Sequence, residues 1–535
     1  MKQKFILLAL LIILSLLLMS CSEPEIQGGT EVRIDNESPG EGGLINIGCI
    51  EPLSFNPLLV NSKSYGDICK LLFNGLVEYD TNLKPVFVLA ETINFVEGTG
   101  QAIVKLKENL RWSDGVSVTS ADVKFTLDSI KSAQDSVYKL KLNHIVSYQI
   151  VDDVNIKINF GNTAYNAMDA LSFPIIPKHI FGINPNATPL GTGPYKVVSY
   201  SKLKNMTLEP NEYSLQSNKP YITKIKVNFI KDIDSFDTAF QSGQIDIINA
   251  SSYDWEKYEE LREVNTYKYL SRDYEFIAVN FQNPVLAEKE IRKALMYSIN
   301  RKSIIEKYLL GNALITDTPI RYDSWMFDGD INKYFYNKAD AQYAINNAGF
   351  SYNEASKTFE KEIDNKKQEL RLSLITNSEN DYRRKAVEEI KKSLEDIGFI
   401  IDLKILPFEE LKKQIDSKKF DLALVGMNFS PEADLYDFLH SSQAAGGKNY
   451  GGYVNSRVDL LLEQSHNVLT QEERYVNYVE LQRIIKDELP VLSLFYKEYA
   501  LAMRSKVKGE IQADSENLFR TFNNWYITEP LRQNE

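Results

Sequence analysis

The stretch from Leu370 to Asp434 constrains the fold more than any other part of the chain, because its apolar residues switch repeatedly between two spacings. RLSLIT alternates Leu372 and Leu374 with polar neighbours, as a strand does, and AVEEIKKSLEDIG then puts Val387, Ile390, Leu394 and Ile397 on one helical stripe that stops at Gly398. FIIDLKIL predicts a second strand, FEELKKQIDSKKF a helix carrying Phe408, Leu411 and Ile415, and FDLALVG a third, mostly apolar strand. Together these predict a parallel βαβαβ unit. Crossovers in such units are right-handed and ligands collect outside the carboxyl ends of the strands. The loop from Met427 to Asp434, MNFSPEAD, is therefore a candidate ligand edge, with a plain surface connection as the alternative.

A second unit of the same kind is predicted where KIKVNFI is followed by DSFDTAFQSG, closed by Gly243, and by QIDIINA. The loop beyond it, SSYDWEKY, offers Tyr253 and Trp255 as either a binding rim or core aromatics. YEFIAVNFQN, near Ile277, and LPVLSLFYKEYALAM, near Val491, read as extended segments crossing between two lobes, each built on one unit. A chain of 535 residues that is 43% hydrophobic can bury the cores this needs. LINIGCI reads as a short strand, and EPLSFNPLL after it as a turn in which two prolines bracket Ser54, Phe55 and Asn56. Thr119 three residues before Asp122 predicts a capping box for the helix TSADVKFTLDSIKSA, Trp112 reads as a packing residue, and PLGTGPY reads as a tight turn. Asn300 is a candidate cap, and residues 351–369 are polar enough to read as a loop or irregular insert.

The formal charge of −12 disfavours a nucleic-acid surface. HExxH, GxSxG, a phosphate loop and zinc-type CxxC pairs are absent, so no catalytic residue, metal site or cofactor is indicated. The four histidines, His144, His179, His440 and His466, are not spaced to share a metal. Counting carboxylates does not dispose of a glycosidase-like pair, and an extracellular hydrolase stands as the alternative from a different class. At the amino terminus Lys2 and Lys4 precede an apolar run from Phe5 to Met19 and then LMSC, a run short for a membrane span and suited to a signal-peptide core. An uncleaved anchor helix is the competing reading. Residues 21–43, rich in Gly, Glu, Ser and Pro, predict a flexible tether. Cys49 and Cys69 remain in an extracytoplasmic setting, and spacing alone leaves their pairing open.

The pieces GGLINIG, FNPLL, LFNGLVEYD, PVFVLAE, LKENLRWSDGVSVTSADVKFTL, IIPKHIF, PLGTGPY, FQSGQIDI, IRKALMYSINRKSII, FDLALVG, NYGGYVNSRVDLLL and ELPVLSLF occur in the order found in one family. Over Gly42 to about Ile527 the chain resembles the family 5 extracellular solute-binding proteins of ABC importers, the oligopeptide, dipeptide and nickel type. LMSC likewise resembles a bacterial lipoprotein box, in which Cys21 receives a diacylglycerol and becomes the first residue.

The resemblance implies an α/β, two-lobe periplasmic-binding-protein-like fold with an extra subdomain, mixed sheets and a hinge. Its expected segments are a signal peptide over 1–20, the tether over 21–43, a first lobe over 44–276 with a subdomain inserted at about 61–178, a second lobe over 277–490 and a return to the first lobe over 491–535. The hinges are expected near Ile277 to Phe281 and Leu489 to Phe495.

It further implies a monomer without enzymatic activity, lipid-anchored outside the membrane of a Gram-positive cell, which passes a solute to ABC permease subunits. The solute expected first is an oligopeptide, with a nickel chelate or a signalling peptide as alternatives. Where the peptide binders carry the Asp that holds the peptide's amino group, this chain has Pro431, with Glu432 next door and Asp434 at the second Asp position. On loop position and this alignment, the expected ligand contacts are Ser54, Phe55, Tyr253 and Trp255 on one wall and Phe429, Glu432, Asp434, Asn449 and Tyr450 on the other.

Overall fold

The computed structural model describes residues 39–215, 219–250, 255–331, 334–363, 366–468 and 470–528, so Cys21 and Tyr253 lie outside the described residues. Strand Arg371–Asn377 pairs in parallel with Ile400–Leu406 on one side and Leu422–Asn428 on the other, and helices Asp381–Glu395 and Phe408–Asp416 make the crossovers. The predicted βαβαβ unit is present. Alternation along its strands divides the second lobe into two cores, with Leu372, Leu374, Leu422 and Leu424 on one face and Ile375, Ala423 and Val425 on the other. Asn380 caps the first helix by accepting from the Arg383 amide at 3.1 Å, and Gly398, at φ +118°, turns the chain after it.

In the other unit, strands Lys224–Ile230 and Ile247–Ala250 lie parallel to Leu44–Ile50, one on each side of it. Helix Ser235–Gln241 connects them and ends before Gly243, at φ +77°.

The two lobes are joined within one sheet. Strand Val264–Val279 runs antiparallel to Val491–Arg504 along nearly its whole length; the former also pairs with Leu422–Asn428 and the latter with Ile247–Ala250. An 11-stranded sheet thus passes through both lobes, and the expected boundary between residues 276 and 277 falls inside a continuous strand. The ladder shifts register between Leu270 and Tyr274, where the two long strands leave one lobe for the other.

Strands Ala90–Val96, Gln101–Leu106, Asn155–Asn159 and Ser147–Ile150 form a separate antiparallel sheet inside the inserted segment. Helix Ser120–Ser132 contacts it, opened by the expected capping box, in which Asp122 accepts from the Thr119 amide at 2.9 Å. Trp112 is fully buried, in keeping with a packing role. Asn300 caps helix Arg301–Tyr308 through the Ser303 amide at 3.0 Å. In PLGTGPY, a Cβ on Gly191 would stand 1.9 Å from the Leu72 carbonyl oxygen, so the tight turn reflects close contact with the end of helix Lys63–Leu72.

One expectation is corrected. Residues 351–369 are a small antiparallel sheet of strands Ser351–Asn353, Thr358–Ile363 and Lys366–Glu369, not a loop. Of their side chains Phe359 packs into the second-lobe core, while most described neighbours stay exposed, so the stretch carries little hydrophobic alternation. Cys49 and Cys69 are both buried free thiols, and burial pushes Cys49 up to about 12.

Candidate functional site

The lobes meet on either side of a cavity. The Trp325 amide of the second lobe donates to the Asn82 carbonyl of the first at 2.9 Å, and helix Ser456–Asn467 rests against the single turn Gly161–Asn166 of the inserted subdomain. Between these contacts lies a cavity of about 320 Å³, within the range of small-ligand sites. Helix Lys63–Leu72 and strand Val77–Tyr79 supply one wall, Tyr138, Lys141 and Phe173 another, and the loop at Ser430 and Pro431 closes the side toward the second lobe. Arg272, at the register shift of the long strand, and Arg520, from the returning chain, complete it.

Its polar wall is cross-linked by the protein itself. Lys141 donates to the Asp169 carboxylate at 2.8 Å and to Ser172 at 2.6 Å. Arg520 is held by Asp514 and donates to the Tyr79 carbonyl, tying the returning chain to the first lobe. Arg272 faces Glu516 at 3.5 Å.

The loop Met427–Asp434 does reach this cavity, through Ser430 and Pro431, while its larger side chains turn elsewhere. Phe429 packs between Tyr274 and Phe438, with ring centres 5.8 and 5.3 Å away. Glu432 is 1% exposed and ion-paired with Arg474, and the Tyr79 hydroxyl faces it from the first lobe. Burial holds its carboxyl above the ordinary value despite the guanidinium. Asp434 accepts from the Tyr436 amide at 2.9 Å and meets His466 at 3.1 Å. Burial raises its carboxyl, but the imidazole, the amide and Arg474 outweigh this and leave it below the usual value. Tyr436 is stacked between His440 and His466, at 4.1 and 4.7 Å.

The remaining expected contacts lie away from the cavity. Ser54 accepts from the Asn56 amide at 3.2 Å, and Phe55 sits edge-on to Tyr200 at 4.8 Å and to Tyr65 at 6.1 Å within its own lobe. Trp255 is fully buried in a satellite core with Phe240 and Tyr258, under the Lys268 ammonium at 4.7 Å, which corrects its reading as a rim residue: the indole folds back under the sheet instead of facing the cleft. Asn449 is buried and occupied, donating to the Leu439, His440 and Tyr453 carbonyls and accepting from the Tyr453 amide, so it shapes its loop and does not line the cavity. The Tyr450 carbonyl is bound by Lys418 at 2.6 Å and its ring packs against the second-lobe core.

Lys70, Glu78, Lys141 and Asp169 were not anticipated as site residues. Nothing in the local pattern around them shows that these polar residues face a cleft closed by segments hundreds of positions away.

The chain is similar to known solute-binding proteins over most of its length. The family model described as "Bacterial extracellular solute-binding proteins, family 5 Middle" matches residues 84–449. The oligopeptide-binding protein AppA of Bacillus subtilis is 26% identical over 530 residues, covering 95% of this chain and 96% of its own. The solved structure of that protein in complex with a nonapeptide superposes with a TM-score of 0.61 at 26% identity, covering 92% of this chain and 100% of that one. The ABC transporter substrate-binding protein CtaP of Listeria monocytogenes superposes with a TM-score of 0.71 at 25% identity, covering 91% and 100%.

Proposed function

The chain belongs to the family 5 bacterial extracellular solute-binding proteins, and from that premise we propose that it captures a short peptide between its lobes and passes it to an ABC-type importer, acting as a monomer and without chemical turnover. The observation that carries this reading is the cavity of about 320 Å³ lined from both lobes, in a chain that aligns over nearly its whole length with a relative named for oligopeptide binding. A ligand contacting both lobes favours the closed arrangement, because the open one lacks half of those contacts. The register shift between Leu270 and Tyr274, with the facing stretch of Val491–Arg504, is the proposed hinge, since strand pairing is already interrupted there. Lipid attachment at Cys21 is proposed as the means of keeping the protein on the outer face of the cell membrane.

The test is to add defined peptide pools to the protein and follow its thermal stability and its radius of gyration by small-angle scattering. A binder gains about 2.7 kcal/mol of stability at 100 times the dissociation constant and contracts. Hydrolysis of the peptides, or stabilisation by nickel chelates with no response to any peptide, would overturn the proposal.

A further inference from the structure

Three of the chain's four histidines gather where the second lobe rests on the inserted segment. His144 ends the short 3-10 helix Lys139–His144 and is half-buried, and its Nε2 lies 3.5 Å from the side-chain amide of Asn166, in the turn that meets helix Ser456–Asn467. His466 stands in the last turn of that helix, with Nε2 3.1 Å from the Asp434 carboxylate. His440 is buried against the other face of Tyr436, with Nδ1 2.8 Å from the Ser442 hydroxyl. One imidazole thus comes from the inserted segment and two from the second lobe.

The charges around His144 come from both sides of the boundary. Asp169 belongs to its own segment and is held by Lys141 at 2.8 Å, while Asp434, Asp437 and His466 belong to the second lobe. Glu432, on the same loop as Asp434, is taken up by Arg474. The carboxylates facing His440 are Glu463 and Asp459, at 3.4 and 3.9 Å, both from its own lobe. His440 therefore has its partners within one lobe, whereas His144 and His466 act on each other across the boundary.

A proton has different consequences on the two facing rings. On His466 the charge meets Asp434. On His144 it takes up the Nε2 lone pair to which the Asn166 amide donates, and it sets a second cation opposite His466 in a boundary short of water. Burial holds the His144 imidazole below its ordinary value of 6.5; Asp169, Asp434 and Asp437 oppose this, His466 adds to it, and the lowering prevails. A base lowered in the closed arrangement favours closure fully above its ordinary value, and that preference is lost as the pH falls through it toward the lowered one.

We propose that this boundary is a proton-operated latch on the cleft, which holds the lobes together while His144 is neutral and lets them part when His144 and His466 both carry protons. The proposal rests on the reading of the protein as two lobes that close on a ligand. It makes capture strongest at neutral pH and release a consequence of mild acidity, with no group of the ligand taking part.

The test follows the radius of gyration of the full chain by small-angle scattering at about pH 7.5 and about pH 5.5, alone and with a tripeptide pool, together with the pool's affinity by calorimetry. The wild-type protein is expected to expand at the lower pH, to contract again on return to the higher one, and to bind the pool at least about fivefold more weakly when acidified. His144→Gln, which keeps a polar amide but cannot take the proton, should stay contracted and bind equally at both pH values. His466→Gln, which removes the facing cation, should weaken the response. His179→Gln, which removes the fourth histidine, paired with Asp114 at 2.8 Å within the inserted segment, should respond as the wild-type protein does. Thermal midpoints at both pH values confirm that the variants are folded. Unchanged dimensions of the wild-type protein across this range overturn the inference and leave peptide binding, if seen, standing. So does an expansion that survives unchanged in His144→Gln or in His466→Gln. If no pool binds while the expansion occurs and depends on His144, the peptide reading fails and the latch stands.

Discussion

Glu432 shows how a residue's role depends on what is packed against it. The loop position and its chemistry suit an ammonium partner, but in the folded protein the carboxylate is 1% exposed and already paired with Arg474. Buried ion pairs of this kind contribute little net stability, yet removing one partner leaves the other charge stranded. Arg474→Met is therefore expected to destabilise the protein by about 3–5 kcal/mol in urea unfolding, and the double variant Glu432→Gln with Arg474→Met by clearly less. Equal losses in the single and double variants would mean that the pair's geometry, and not the stranded charge, sets the cost. Asn449 makes the same point in neutral form: with every hydrogen-bonding group of its amide satisfied by its own loop, it holds the 439–453 turn together.

The elements that matter most for the proposed closure are the two long strands, Val264–Val279 and Val491–Arg504. Glu275 lies just beyond the register shift and is 1% exposed, accepting from Arg383 at 2.9 and 3.1 Å and from Lys497 at 3.0 Å. Arg383 comes from helix Asp381–Glu395 and Lys497 from the opposite strand, so one carboxylate ties three elements together where the sheet passes between lobes. Burial raises its carboxyl, but Lys497 and Arg383 outweigh burial and hold it below the ordinary value of 4.5. An acid depressed in the folded state contributes stability that is fully present above its unfolded value and is lost as the pH falls through the folded one. The wild-type protein is thus expected to lose stability on acidification below about pH 4.5, and Glu275→Gln should be less stable at neutral pH with a shallower acid limb. Chemical unfolding at a series of pH values reads both, and an identical acid limb in the two proteins would exclude Glu275 as its source.

At the scale of the whole molecule, the strands that connect the lobes remain paired on both sides of the register shift, so the proposed hinge keeps the chain's hydrogen bonding intact. The polar composition of residues 21–43 predicts a tether, which would leave the lobes clear of the membrane in the proposed lipid-anchored protein. Two acyl chains at about 0.8 kcal/mol per buried methylene would hold such a chain firmly. Cys21→Ala is expected to abolish incorporation of labelled palmitate in cells and to release the protein from the membrane fraction, with unchanged folding of the lobes. Labelling that survives the change would reject the anchor.

The sequence by itself determined both βαβ units, the helix caps at Thr119 and Asn300, and the two segments that cross between lobes, because periodicity, capping and turn chemistry act over a few residues. The ordered family motifs extended that reading to a two-lobed binding protein. The sheet at 351–369 escaped because most of its described residues face solvent and so lack the alternation that marks a half-buried strand. Which polar groups face the cleft was decided only by the tertiary structure. Trp255 and Asn449 turn inward, Glu432 finds Arg474 42 positions along, and the Tyr79 carbonyl is capped by Arg520 from 441 positions away. A charge is available to a ligand only if no distant segment has already neutralised it, and that depends on the packing of the whole chain rather than on any local pattern.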